Sequence, residues 1–422
     1  MSYYLGIDFG TSGARAIVID SDRKINSEVS CHFESVEPNQ LTATWEATLW
    51  KLISQIPAAL RSQIWRIAID GTSSTVLLCD PEGQPLYSPL LYNDARATIE
   101  VQRLAAIAPA GHVVLSASSS LAKLLWLSQR PEFSQAHYLM HQADWLAYLL
   151  HGKPGISDYH NALKLGYAPL DPRYPSWLEH SDLKHVAPLL PKVVAPGTPV
   201  GVVQTRVAEN WGLPSNCWIC AGTTDSIAAF LASGAVSPGE AVTSLGSTLV
   251  LKLLSKTRVE DCRYGIYSHR LGNLWLVGGA SNTGGAILRQ FFTDAELEDF
   301  SGQIKPNQQC PLDYYPLAKP GERFPINDPQ LQPRLQPRPD NPVEFLHGLL
   351  ESLARIEAQG YHLLQEQAAT PLVQVYTAGG GAKNSTWSAI RRRYLKVPLG
   401  QPQQTEAAYG TALLAAGLSG LF

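Results

Sequence analysis

Two short patterns occur in the same order in each half of this chain. Asp8-Phe9-Gly10-Thr11-Ser12 lies over Ser244-Leu245-Gly246-Ser247-Thr248, with Gly10 over Gly246, and each hydroxyl-bearing loop sits between strand-like runs. Cys220-Ala221-Gly222-Thr223-Thr224-Asp225 likewise lies over Thr377-Ala378-Gly379-Gly380-Gly381-Ala382, each a strand entering a helix through Ala-Gly. The same elements twice in the same order indicate two related domains facing one another, with a ligand between them. A chain of 422 residues is long enough for two full cores, and 45% hydrophobic with only 16% charged residues fits a compact enzyme rather than a disordered chain.

Strands are expected at 3–8, 14–20 and 28–33, then a helix near 43–60, strands at 66–70 and 75–80, and helices at 121–129 and 143–152. The pattern restarts near residue 217 with a strand at 216–222, a helix at 225–236, strands in 241–254 and 274–279, and a helix after Ser281-Asn282-Thr283-Gly284-Gly285. The Pro-rich stretch 305–342 reads as irregular structure around a rim or crevice. A long helix follows at 341–367, then a strand at 372–378 running through three glycines into a helix, and an Ala-rich helix at 405–420. Strands mixed with helices make this an α/β layered fold. Glycines at a helix start leave free N–H groups for a phosphate or nucleotide.

The formal net charge is −3, and Arg391-Arg392-Arg393 is the densest basic run, which argues against a nucleic-acid partner and for a small molecule. No apolar run reaches the roughly 18 residues of a membrane span, and the strand-like start Met1-Ser2-Tyr3-Tyr4 lacks a basic n-region, so a cytoplasmic protein is expected. The six cysteines are scattered. The single CxxC, Cys217 to Cys220, lies in a strand-like run without a second pair or a nearby His, and reads as buried strand cysteines. No Walker A, GxSxG or HExxH pattern occurs, so P-loop NTPase, α/β-hydrolase and zincin readings lack support.

The first loop, in Gly-Ile-Asp-Phe-Gly-Thr-Ser-Gly-Ala-Arg-Ala-Ile-Val-Ile-Asp at 6–20, has two readings. It can be a plain hairpin in which Gly10 and Gly13 take φ > 0 and Thr11 and Ser12 bond the turn. It can also turn successive N–H groups toward a phosphate, with Asp8 holding a cation beside it. The loop alone leaves both open.

Six ordered segments, at 6–20, 90–97, 221–248, 321–329, 377–387 and 405–416, together resemble the FGGY carbohydrate kinases, members of the actin/hexokinase/Hsp70-like ATPase fold, over essentially the whole chain. The resemblance implies an α/β protein of two actin/hexokinase-like (ribonuclease H-like) domains flanking a central cleft. Residues 1–230, joined by a terminal helix at 406–422, would carry the sugar site and first phosphate loop; residues 231–405 would bind ATP. Within the family the chain looks most similar to the short D-ribulose and D-xylulose kinases. Where xylulokinases carry Ser-Gly-Gln-Met-His-Gly, this chain has Asp70-Gly71-Thr72-Ser73-Ser74-Thr75, which favours D-ribulose; glycerol is demoted because the Arg-Glu pair of glycerol kinases has no counterpart. The implied activity is ATP- and Mg²⁺-dependent phosphorylation of a ketopentose at its terminal hydroxyl. The partners would be sugar and ATP, without nucleic acid or membrane, in a monomer or homodimer. The rival is a non-catalytic nucleotide- and sugar-binding protein or an actin-like assembly ATPase, since the fold alone implies only ATP binding and hinge motion.

The resemblance also distributes roles. Asp225 would be the general base, although an Asp ahead of Ser226-Ile227-Ala228-Ala229 is also an ordinary helix N-cap. Asp8 would hold Mg²⁺, with Thr11, Ser12 and Gly13 offering N–H groups to the γ-phosphate and Gly246, Ser247 and Thr248 serving the other phosphates. Gly380, Gly381, Ala382, Asn384 and Trp387 would form the adenine pocket, with Trp387 either stacking on the base or packing in the core. The sugar would meet Asp8, Ser12, Gly13, Ala14, Arg15, Ser73, Asn93, Asp94, Asp225 and Ser226. Arg96 is either a loop contact or one half of a surface ion pair, and Asp158 and Asn161 are secondary sugar candidates. His141 and His160 lack metal-ligand spacing and read as structural.

Overall fold

A computed structural model of the chain describes residues 2–417 apart from 35, 169, 172 and 181. They form two compact units: residues through Ala232 together with the segment from Glu406, and Ser233–Thr405.

In the first unit, β1 (Tyr3–Phe9), β2 (Gly13–Ile19) and β3 (Ile25–His32) form an antiparallel meander. The chain then crosses through α1 (Leu41–Gln55) and α2 (Ala58–Arg61) to β4 (Ile64–Gly71), which lies parallel to β1. Pro57 separates the two helices, so the helix expected over 43–60 is broken there. β5 (Val76–Cys79), α3 (Thr98–Ala105), α4 (Ser120–Leu127), β6 (Tyr138–His141) and α5 (Gln142–His151) follow, with β5 and β6 antiparallel. β7 (Ile156–Asp158) pairs with β8 (Lys192–Val194); then come β9 (Pro199–Val202), α6 (Thr205–Trp211), β10 (Trp218–Cys220), the two-residue β11 (Thr223–Thr224) and α7 (Asp225–Ala232). The main sheet runs β3-β2-β1-β4-β10-β9, with β11 on β4.

The second unit repeats this plan. β12 (Glu240–Leu245), β13 (Leu249–Ser255), β14 (Tyr267–Leu271) and β15 (Leu274–Ser281) are antiparallel. After α8 (Gly285–Leu288), α9 (Asp294–Gln303) and the long α10 (Pro342–Glu366), β16 (Gln374–Ala378) joins β12 in parallel. α11 (Ser385–Leu395) and β17 (Leu399–Gly400) close the order β14-β15-β13-β12-β16-β17. α12 (Ala407–Ala415) then packs in the first unit, where Ala408, Tyr409 and Ala412 meet Ile17 and Ile19. With α1 burying Trp45, Leu49 and Leu52 in the main core of that unit, β1 reads as a nearly unbroken apolar run. Residues 418–422 of the expected terminal helix lie outside the described residues.

By sheet position β12, β13 and β15 correspond to β1, β2 and β3, so the first internal echo joins equivalent hairpins. The second does not. Residues 377–382 follow β16, whose counterpart beside the first strand is β4, whereas Cys220 ends β10, one strand further out. The Ala-Gly dipeptide marks only the passage from a strand into a loop and carries no information on sheet order. The true counterpart of the 377–382 loop is therefore Asp70-Gly71-Thr72.

One further expectation changes. Residues 305–342 are irregular as expected, but Tyr314, Tyr315, Leu317 and Phe324 plant the stretch in the core of the second unit rather than leaving it on a rim. Of the basic run, Arg391 is fully buried, Arg393 pairs with Glu351 and Arg392 is exposed, so the three form no single patch. Among the described residues no helix is long and apolar enough to cross a membrane.

Candidate active site

Parallel pairing of β1 with β4 sets Asp8 directly beside Asp70, and β11 sets Thr223 beside Asp70 on its other side. Asp70 has no solvent exposure, and the Thr411 hydroxyl of α12 donates to its Oδ2. Burial pushes the Asp70 carboxyl well above the ordinary carboxylate range; the Asp8 charge beside it and the Asp225 charge act in the same direction. Asp8 is raised too, by burial first and by the Glu406 charge, against the lowering effects of a side-chain hydrogen bond with the Asp70 carboxyl and of the Arg15 charge. Asp8 Oδ1 and Asp70 Oδ1 are both buried without a hydrogen-bond partner. Two apposed carboxylates with two orphaned oxygens fit a hard divalent cation. Among the described residues no group of three or more metal-ligating side chains is gathered, and a carboxylate pair is the donor set Mg²⁺ accepts when water and phosphate complete its shell.

Asp225 opens α7, half-buried, and its Oδ1 accepts from the Ser226 N–H at 2.6 Å, with Ser226 itself exposed. The neighbouring Thr224 Oγ1 is buried and unpartnered. Arg15, cross-strand from Asp8, holds Glu28 at 2.8 Å and Glu406 at 2.7 Å. Two carboxylates thus engage the guanidinium that was expected to meet sugar. Ala14 is buried.

The first loop leaves Thr11 and Ser12 exposed, closed by Gly10 N–H donating to the Gly13 carbonyl at 3.0 Å. Neither Gly10 nor Gly13 adopts a positive φ, contrary to the hairpin expectation. What requires glycine at 13 is close approach: a Cβ there would stand 2.6 Å from the Cys31 carbonyl oxygen of β3.

The second loop exposes Ser247 and Thr248 in the same way. It is braced by residues the sequence reading left unassigned: Gly285 N–H donates to the Gly246 carbonyl at 2.8 Å, Ala286 N–H to the Ser247 carbonyl at 3.1 Å, and Leu249 N–H to the Thr283 carbonyl at 2.7 Å. The signal was Thr283-Gly284-Gly285 ahead of a helix. Gly379 has φ 83°, and a Cβ on it would lie 2.8 Å from the Leu245 carbonyl, so the 380–383 turn carrying Gly380, Gly381 and Ala382 starts against the second loop.

Two of the residues expected at the adenine pocket are engaged within the fold, Trp387 in the core half of its two readings. Trp387 is 2% exposed in the core, its ring 2.6 Å from where a Gly381 Cβ would stand; it supports the loop from beneath and has no face free for a base. Asn384 caps α11, accepting from Trp387 N–H at 2.8 Å while donating to Ser301 Oγ at 2.7 Å, so its amide is committed to the fold.

Ser73 follows β4 half-buried, between the buried Thr72 and Ser74, and Asn93 is exposed. Asp94 accepts from Arg96 N–H at 3.1 Å and Nε at 2.9 Å. Burial works to raise its pKa, but the Arg96 bonds and charge win and hold it below the usual carboxylate value. Arg96, whose guanidinium also lies 4.9 Å from the Trp126 ring centroid, is thus the ion-pair half of its two readings. Asp158 and Asn161 are both buried, and Asp158 accepts from His160 N–H at 2.8 Å, Asn161 N–H at 3.1 Å and Asn161 Nδ2 at 2.6 Å, closing its own turn, while Asn161 Oδ1 is left without a partner. His141 is buried against Ser120 and Asp144, and His160 against Thr223 at 2.7 Å. Cys217 and Cys220 are buried free thiols, pushed up to about 12 and about 11 by burial.

Residues 3–232 match the FGGY family of carbohydrate kinases, N-terminal domain, and residues 241–418 match the C-terminal domain of the same family. The chain belongs to the FGGY family of carbohydrate kinases. A xylulose kinase from Staphylococcus xylosus is 22% identical over 99% of this chain and 91% of its own length. An autoinducer-2 kinase from Yersinia enterocolitica is 26% identical over 99% of this chain and 86% of its own. A ligand-bound xylulose kinase from Lactobacillus acidophilus shares the fold at a TM-score of 0.85 and 18% identity, covering 100% of this chain and 90% of that one. This FGGY kinase therefore has the mixed α/β, two-domain, actin/hexokinase-like fold of its family and is an ATP-dependent sugar phosphotransferase.

Proposed function

We propose that this FGGY kinase transfers the γ-phosphoryl group of ATP to the terminal hydroxyl of a ketopentose, D-ribulose before D-xylulose. The observation that carries the reading is the Asp8–Asp70 pair with the Asp225 charge acting on it, all on one unit of the fold. A non-catalytic binding module has no use for three carboxylates whose apposition costs stability. Asp225 accepts the proton of the sugar hydroxyl, and Asp8 with Asp70 holds Mg²⁺, which when bound offsets the charge on the phosphates. Thr11, Ser12 and Gly13 present N–H groups to the γ-phosphate, and residues 246–248 serve the remaining phosphates. Ser73, Asn93 and Asp94 face the sugar, in a monomer or homodimer acting in the cytoplasm.

D-Xylulose is the second reading, favoured by relatives named xylulose kinase. Against it, the Asp70–Thr75 segment offers short hydroxyls in place of Gln and His, and of Thr72, Ser73, Ser74 and Thr75 all but the half-buried Ser73 are buried.

A coupled ADP-release assay over ribulose, xylulose, ribitol, arabinitol and glycerol tests the substrate class. ADP release that no sugar stimulates would favour a bare ATPase. Asp225→Asn tests the base: it keeps a capping side chain, so melting should shift little while kcat with saturating ketopentose falls roughly 10²-fold or more. Turnover close to that of the parent would remove Asp225 from the mechanism.

A further inference from the structure

Lys123, on the inner face of α4, has no solvent exposure. Its ammonium makes two hydrogen bonds, both to main-chain carbonyls: Ser74 at 2.8 Å and Leu91 at 2.6 Å. These acceptors lie on separate loops. Ser74 follows Ser73 after β4 and is held at φ 66°, a left-handed conformation that a serine adopts only under constraint, with its own Oγ buried and unpartnered. The Leu91 carbonyl also accepts the Asp94 N–H at 2.9 Å, so it closes the turn that displays Tyr92, Asn93 and Asp94. One buried amine therefore pins the backbone of both segments read as sugar-facing.

We propose that Lys123 is a positioning residue for the acceptor sugar: it fixes the Ser73 and Asn93–Asp94 loops in mutual register through the Ser74 and Leu91 carbonyls. The proposal rests on the reading of those loops as the sugar site. Burying a lysine is unfavourable for the fold. Desolvation lowers its pKa to about 7, with Arg96 and Lys164 acting in the same direction and Asp94 alone against them. A methionine of similar length would fill this space more cheaply if only packing mattered, which argues that the two loop contacts are what the amine supplies.

The test compares the full-length wild type with Lys123→Met and Lys123→Gln. In Lys123→Met the melting temperature should hold or rise. The KM for the ketopentose should increase on the order of 10- to 100-fold, with the KM for ATP moving less than about two-fold, because loop misplacement penalises acceptor geometry alone. Amide exchange should accelerate at 73–76 and 91–95. Lys123→Gln, which can reach one carbonyl through its amide, should fall between the two and serves as the readout if the methionine variant does not fold. An unchanged sugar KM in a folded variant overturns the proposal, and so does a parallel rise of both KM values with a lowered melting temperature. Unaltered exchange in the two loops overturns it too. Failure of the sugar reading itself would look different, as a wild type that phosphorylates no sugar in the panel while exchange still responds to the substitution.

Discussion

Arg391→Met is the perturbation whose consequence the second unit forecasts most sharply. Arg391 Nε and Nη2 donate to the two Glu357 oxygens at 2.6 and 2.8 Å, and Nη1 donates to Thr377 Oγ1 at 2.8 Å. Glu357 also accepts from Thr243 Oγ1 at 2.6 Å, and that hydroxyl contacts the Tyr361 hydroxyl at 2.8 Å. Arg391, Glu357 and Thr243 are all fully buried. Removing the arginine strands a carboxylate where no water reaches it, a loss of about 3–5 kcal/mol. For a unit of this size each kcal/mol moves the midpoint by roughly 2–4 °C, so its transition should drop by roughly 6–20 °C. Arg391→Met combined with Glu357→Met removes both charges at similar volume and should recover most of that loss. Thr243 leads into the 246–248 loop and Thr377 into the 379–382 loop, so the single variant should also raise the KM for ATP. Scanning calorimetry of wild type, single and double variants decides it. A single variant melting within about 2 °C of the parent, or a double variant no better than the single, would refute the reasoning.

Asp70→Asn keeps an acceptor for Thr411 and removes one of two apposed carboxylates. The metal-free protein should melt at the same temperature or higher at neutral pH, while Mg²⁺-dependent phosphorylation falls about 10²-fold or more; unaltered turnover would sink the assignment. Gly13→Ala drives a methyl to 2.6 Å from a main-chain oxygen and should destabilise by about 1–3 kcal/mol. Gly246→Ala meets nothing closer than 3.7 Å, so it should melt normally yet bind ATP more weakly, which a thermal melt and an ATP titration resolve. Asp158 is pushed up to about 7 by burial and by the Asp144 charge, so the folded chain keeps a proton that the unfolded chain has released. Stability should therefore fall as pH rises from the ordinary carboxylate range to about 7 and level off above it; Asp158→Asn should flatten that slope, and identical melting profiles for the two proteins would refute the assignment.

Local chemistry was legible in the sequence wherever one short window contained it. The glycine-hydroxyl loops at 10–13 and 246–248 lie between paired strands, and Asp225 opens a helix, because turn and cap preferences act over a few residues. Side-chain direction was much less legible. Trp387 and Asn384 lie in a glycine-rich segment that reads as ligand-facing, yet three or four positions along a helix turn a side chain from a loop into the core. The Arg391–Arg393 run shows the same effect, with Arg391 buried, Arg392 exposed and Arg393 between the two. A helix carries successive residues to different faces, so three consecutive arginines cannot form one patch.

Asp70 shows a different limit, because its importance is a property of sheet order rather than of its own neighbourhood. Ile67, Ala68, Ile69 and Asp70 read as the end of an apolar strand, and the acid at 70 looks like the polar residue that closes it. Only when β4 pairs in parallel with β1 does Asp70 fall beside Asp8, more than sixty positions away, and only when α12 returns from the end of the chain does Thr411 reach it. The internal echo carried that pairing in disguise: setting residues 377–382 against β4 instead of β10 brings Asp70-Gly71-Thr72 into line with the loop that follows β16. Aligning repeats by hairpin and parallel partner, rather than by matching dipeptides, would have placed Asp70 among the candidates from the outset. The same alignment pairs α7 with α12, each following the outer parallel strand of its sheet, so that Asp225 and Glu406 occupy equivalent helix starts. Both acids act electrostatically on the first strand pair, Glu406 raising Asp8 and Asp225 raising Asp70, although the sequence places them 181 positions apart.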